Sequence, residues 1–274
     1  MKKKSHLITS MAVPLALLFV STFLYSARPR ASAQGSDFNR LTLTISSPKD
    51  GLVELEPVPI VVNLRNETNQ TIVGHSALGF SNNFVKLFLV GGNGEAREIQ
   101  NVSPVTGNTA AAPRELGPGE SLEVKEALAF HLDKSFPRPG AYRIQAVLYD
   151  ARWSNEIKSN VLTIHIHHPD GVTLEALNYI KRLGAASYFF SGVGFPSEEQ
   201  ARTALEDFTA KFSETGYGDY AAFLLGEHYF YGKDFTRAEQ QLSLLAKKTD
   251  FVFADKAKKY LEKMKNDNAS RRTP

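Results

Sequence analysis

The run His165-Ile166-His167-His168 holds the first residues in this chain whose types and spacing could do chemistry. On an extended strand His165 and His167 project to one face, as two metal ligands do, and Asp170 stands close by. No third ligand follows at helical spacing and no His-Glu-x-x-His motif exists, so the same residues also read as a solvated strand end. A second cluster is LGEHYFYGKDFTRAE, residues 225–239, where His228 lies beside Tyr229, Phe230 and Tyr231, with Glu227 and Asp234 near. It is either a catalytic group or the packing face of a helical hairpin. Gly74-His75-Ser76-Ala77-Leu78-Gly79 fails as a nucleophile elbow, because glycine must follow the serine by two residues and here follows by three. Gly91-Gly92-Asn93-Gly94 separates two extended segments, which makes it turn chemistry and not a phosphate loop. Cysteine is absent, which removes thiol nucleophiles, thiolate ligands and disulfides together.

The elements that must position these residues fall into two halves. Residues 38–168 contain LTLTIS, VPIVVNLR, FVKLFLV, ESLEVKEALAF, AYRIQAVLYD and NVLTIHI, separated by turn-forming SPKDG, NETNQ, GGNGE, LGPGE and FPRPG. Such punctuation predicts an antiparallel β-sandwich of six or seven strands. Tyr142, Ile144, Ala146 and Leu148 share one face at period two. The Gly-x-Tyr start of that strand, followed by an Arg/Trp/Ser/Asn-rich turn and a last strand, resembles bacterial immunoglobulin-like or fibronectin-like modules. The resemblance implies a tyrosine corner at Tyr142. Trp153, the only tryptophan, falls in the turn between the last two strands. A loop at the end of a sandwich suits partner recognition, and a tryptophan there is either an exposed contact or a cover for the sheet edge.

After His168-Pro169-Asp170-Gly171 the apolar period changes from two to 3.6, and Leu174, Leu177, Ile180 and Leu183 mark one helical face. Helices are predicted at 173–190, 197–213, 218–231, 235–248 and 252–265. Leu225, Gly226, Tyr229, Ala238 and Leu242 stand at the spacings of a tetratricopeptide repeat, and Ala204 and Phe208 repeat the small-then-large pair 34 residues earlier. This half therefore resembles a tetratricopeptide-repeat domain. The resemblance implies that Gly226 and Ala238 let two helices approach, that Tyr229 fills the groove between them, and that His228 lies on a flank. The expected fold class is multidomain: an all-β, immunoglobulin-like antiparallel sandwich over 34–168, a linker at 169–172, an all-α, tetratricopeptide-like helical hairpin domain over 173–266, and a disordered tail at 267–274.

Residues 1–33 begin with three lysines, continue with an apolar run from Met11 to Tyr25 and end in Ala31-Ser32-Ala33, the order of a signal peptide cleaved before Gln34. An uncleaved helical anchor is the alternative, since the apolar run is nearly bilayer length. Those residues carry five Lys/Arg and no acid, so their removal takes the net charge from +3 to −2. Nucleic acid is accordingly not an expected partner. Asn66, Asn69, Asn101 and Asn268 open Asn-x-Ser/Thr sequons, relevant only in a eukaryotic secretory route. The expectation is a non-enzymatic, periplasmic or secreted protein without cofactor that binds a protein or peptide of the cell envelope. Trp153, His228 and Tyr231 are its candidate contacts, and membrane attachment arises only through an uncleaved leader. The alternatives are an accessory domain of an envelope hydrolase and an inhibitor or carbohydrate-binding sandwich using Trp153.

Overall fold

Apolar residues alternate with polar ones along the six longest extended stretches, and each forms a strand in the computed structural model. It describes residues 37–75, 78–80, 84–99, 103–104, 113–129, 139–150, 152–183, 190 and 197–272. The expected signal segment 1–33 lies outside them. The six are β1 (Leu41–Ser46), β3 (Val58–Asn66), β5 (Val85–Val90), β9 (Ser121–Ala129), β10 (Gly140–Tyr149) and β11 (Glu156–His167). Between them, among the described residues, stand five short strands: β2 (Gly51–Val53), β4 (Ile72–His75), β6 (Ala96–Glu98), β7 (Ser103–Pro104) and β8 (Pro113–Leu116). They assemble as a four-stranded sheet β1-β3-β9-β7, a five-stranded sheet β2-β11-β10-β5-β6 and a two-stranded β4-β8 ribbon. Leu43, Val62, Leu87, Ile144, Leu148 and Ile164 are buried in the core that both larger sheets supply. At one edge the Asn160 side chain stands in for a strand: its Oδ1 accepts from Ile45 N at 2.8 Å and its Nδ2 donates to Ile45 O at 3.0 Å.

The expected division into an all-β antiparallel sandwich and a separate all-α repeat domain does not hold: the chain is mixed α/β. Strand β2 joins β11 in parallel, which makes the five-stranded sheet mixed. Five helices follow among the described residues: α1 (Gly171–Arg182), α2 (Glu198–Phe212), α3 (Gly216–Tyr231), α4 (Phe235–Leu245) and α5 (Ala254–Arg272). They build a core of their own, to which Ala127 of β9 contributes, and residues 33–274 form one compact unit. Strand β9 alternates between two cores, with Val124 and Leu128 packed among the sheets and Ala127 buried among the helices. Val53 and Leu55 also pack against the helical core.

The segment Lys49–Glu56 ties the two parts together. Leu55 takes the left-handed backbone (φ 62°) at a turn in which Glu56 N donates to Val53 O at 3.0 Å. The nearly buried Glu56 carboxylate accepts from Lys49 Nζ at 2.5 Å and from Val53 N at 3.1 Å. A Cβ at Gly216 would come within 2.8 Å of that carboxylate, so any larger residue at the start of α3 would have to push the Glu56 carboxylate aside. Buried Tyr217 donates its phenol to Glu54 O.

Two helix ends also differ from expectation. Helix α1 starts at Gly171, before Thr173, and α5 continues to Arg272 because no glycine or proline interrupts it before Pro274. Asn66 is fully buried, with its Nδ2 donating to Gln70 O and Leu116 O at 2.8 Å each, so its sequon serves turn structure and is closed to modification.

Candidate functional site

Helix α3 is the centre of the helical half because it is apolar on most of its circumference, with Tyr217, Tyr220, Phe223, Leu225 and Tyr229 buried. Thr215 caps it, donating to Phe212 O at 2.8 Å and accepting from Gly218 N at 3.0 Å. Any Cβ at Gly218 would meet Phe212 O at 2.2 Å, so this tight turn from α2 requires glycine. On its other side α3 turns into α4 through Lys233 (φ 62°), and Asp234 caps α4 by accepting from Arg237 N at 3.1 Å. The α3–α4 contact is close because Gly226 faces Leu242: a Cβ there would stand 2.6 Å from the leucine side chain. Ala238 is fully buried on the same seam.

With α2 and α4 on either side, α3 forms the floor of a groove of about 420 Å³. Ala222 and Leu225 lie at its base, Ala210 on the α2 wall and Leu244 and Leu245 on the α4 wall. Leu244 stands at its rim, 70% exposed. Each end is polar. At one end Lys248 Nζ holds both Asp219 oxygens, at 2.5 and 2.7 Å. Burial raises the Asp219 carboxyl above its ordinary value, and Lys248 only partly offsets this. At the other end Glu206 accepts from the Tyr229 hydroxyl and from Arg202 NH1, the latter at 2.7 Å. The Tyr229 bond, ahead of Arg202, holds the Glu206 carboxyl below the usual range in spite of some burial. Arg237 stacks over the Tyr229 ring at 4.4 Å, so the three helices meet at one aromatic ring.

The residues singled out in the sequence are not brought to one place. His228 sits beside the groove, with Nδ1 3.4 Å from Glu198 Oε1 and its ring edge-on to Tyr229. Tyr231 is exposed at the end of α3, where its hydroxyl stands 3.2 Å from that of Tyr260 on α5. Trp153 belongs to the sheet half: it stacks on Tyr149 and Phe84. His165 and His167 are both exposed on β11, and among the described residues no three His, Asp or Glu side chains gather as a metal site. His168 instead pairs with Glu54, Nδ1 to Oε2 at 2.5 Å.

Two clusters escaped the sequence reading because they join distant segments. Glu126 on β9 is buried and accepts from Phe80 N at 3.0 Å; burial pushes its carboxyl up to about 7, against the pull of that bond and of Lys256. Lys256 lies 5.7 Å from the Phe223 and Tyr260 ring centres and 2.8 Å from Glu227 Oε1. Glu227 also accepts from Tyr260 Oη at 2.6 Å. Glu126 stands in a strand whose local sequence gives no sign that this glutamate is buried, and no local pattern marks a cation over rings 33 and four residues away.

No protein family profile matches the chain, and no curated protein matches it. Among solved structures, a β-glucosidase from Listeria innocua in complex with glucose is similar over 46% of this chain and 16% of its own, at 15% identity and TM-score 0.27. The sporulation control protein Spo0M from Bacillus subtilis is similar over 53% and 56%, at 12% identity and TM-score 0.28. The alkylpurine DNA glycosylase AlkC of Pseudomonas fluorescens is similar over 47% and 30%, at 8% identity and TM-score 0.27. The chain spans well under two thirds of each.

Proposed function

We propose that this is a non-enzymatic binding protein whose helical groove takes a short segment of another protein, in the exported setting that the order of residues 1–33 suggests. The observation that carries the reading is the groove itself, with small and aliphatic side chains along it and Leu244 held out at its rim. Such a trough suits two or three aliphatic side chains of a bound segment, the helix-in-groove mode of recognition. Charge selects further. Residues 169–248, which include the groove-lining Lys248, carry eight basic and eleven acidic side chains, and Glu206 stays ionised at the groove end, so the fitting segment carries Lys or Arg beside its apolar residues.

Selection of peptides from a random display library on the purified protein tests this. Enriched peptides should combine aliphatic positions with a basic residue. Their binding should fall about tenfold or more in Leu244→Glu, an exposed site where stability hardly depends on the side chain. Trp153→Ala should leave it unchanged. No enrichment, or equal binding to Leu244→Glu, would reject the groove as the contact.

A further inference from the structure

We propose that the outer face of the five-stranded sheet at Trp153 binds a neutral oligosaccharide, one pyranose ring stacking on the exposed part of the indole. Trp153 lies in the β10–β11 turn with φ 57°, a conformation that bulky side chains rarely adopt. Asp150 holds it there. Its Oδ1 accepts from Arg152 N at 3.0 Å and Ser154 N at 2.9 Å, and its Oδ2 from Ser154 Oγ at 3.1 Å and Asn155 Nδ2 at 2.6 Å. The indole is therefore set in place before any ligand arrives, which lowers the ordering cost of binding.

The indole is stacked against aromatic side chains of the sheet. Tyr149 stacks at 4.9 Å with 25° between planes, and Phe84 at 5.8 Å with 29°. Trp153 remains 48% exposed, so about half of its surface is open to solvent. The register places Lys86, Val147 and Lys158 in one row across the strands beside it. Lys86 Nζ is 5.6 Å from the indole centre and 3.0 Å from Glu98 Oε1, and Lys158 pairs with Glu156 at 3.3 Å.

The kind of ligand follows from this surround. Lys86, Arg152 and Lys158 are matched by Glu98, Asp150 and Glu156, so the patch has no net charge to hold a polyanion such as single-stranded nucleic acid, although a base could stack. A single indole amid ion pairs is also too small and polar to anchor a protein interface. A sugar ring offers what fits: an apolar C–H face for the indole, and hydroxyls that exchange hydrogen bonds with carboxylates and ammonium groups at its edge.

Because Trp153 is the only tryptophan, the emission of the purified protein reports on this site alone. Titration with cellohexaose, chitohexaose and mannohexaose should give a saturable emission change with at least one, and oligothymidylate should give none. By calorimetry, Trp153→Ala should weaken that sugar by about tenfold or more. Should that variant fail to fold, Trp153→Phe keeps a ring on Tyr149 and should bind measurably more weakly. Silence with all three sugars, an equal response to oligothymidylate, or unchanged sugar affinity in the variant that folds would overturn the proposal.

Discussion

A carboxyl group sealed among apolar side chains makes stability depend on pH, and Glu126 is such a group. Its surface is 4% exposed and burial pushes its carboxyl to about 7, above the 4.5 of a free side chain. The folded state thus holds this proton more tightly than the unfolded one. The associated stability is fully present below about 4.5 and is lost as pH rises through 7, a difference of about 3 kcal/mol. Glu126→Gln keeps an acceptor for Phe80 N and removes the charge. By urea unfolding it should stabilise the protein by about 3 kcal/mol at pH 8.5 and by less than about 1 at pH 5. A difference independent of pH would contradict a buried titrating carboxyl. Asp150 shows the opposite balance: some burial acts to raise it, but bonds from Asn155, Ser154 and Arg152 outweigh this and hold it near 2. Its contribution is present above the ordinary value of 3.8 and is lost as pH falls through about 2. Asp150→Ala should free the turn, shifting the Trp153 emission toward the red at neutral pH and lowering stability there by about 1 kcal/mol or more, a loss that fades as pH falls toward 2.

The hairpin of α3 and α4 is where local spacing carried most information. Gly226, Tyr229, Ala238 and Leu242 sit at positions that a helical seam dictates, and the structure places Gly226 against Leu242 with Ala238 and Tyr229 buried. Replacing Gly226 by leucine should overpack the seam and cost roughly 1–3 kcal/mol or more. Tyr229→Ala should cost about 3–5 kcal/mol, since it removes a buried ring, the bond to Glu206 and the seat of Arg237. His228→Ala should stay within about 0.5 kcal/mol. Urea unfolding measures all three, and a damaging His228→Ala beside a harmless Tyr229→Ala would reverse the faces of α3. Other elements were out of reach. Gly51-Leu52-Val53 is too short to show a period and follows Ser47-Pro48-Lys49-Asp50, a sequence that reads as a turn, yet its parallel pairing with β11 changes the sheet type. The groove was equally hidden, because Ala222 and Leu244 are ordinary helix residues until α2 stands opposite α4.

At the scale of the molecule, the change of period near residue 170 marks where strands give way to helices but says nothing about shared burial. Each half has its own apolar pattern, which predicts that each folds alone. In the structure the helical core also includes Ala127, fully buried on β9, with Val53 and Leu55 packed against it. Tyr217 reaches across to Glu54 O, and Lys125 Nζ pairs with Asp255 at 3.1 Å. A fragment of residues 172–274 would expose the apolar surface that these residues cover and leave the Tyr217 hydroxyl without its acceptor. Burial at about 25 cal/mol per Å² makes even a modest uncovered patch a matter of several kcal/mol, a large share of a domain's stability. The fragment should therefore unfold at clearly lower urea than the helices do within residues 34–274, followed by far-ultraviolet circular dichroism, and Tyr217→Phe in the longer protein should lose about 1 kcal/mol. Identical midpoints for fragment and whole would show that the helices hold themselves together without β2 and β9.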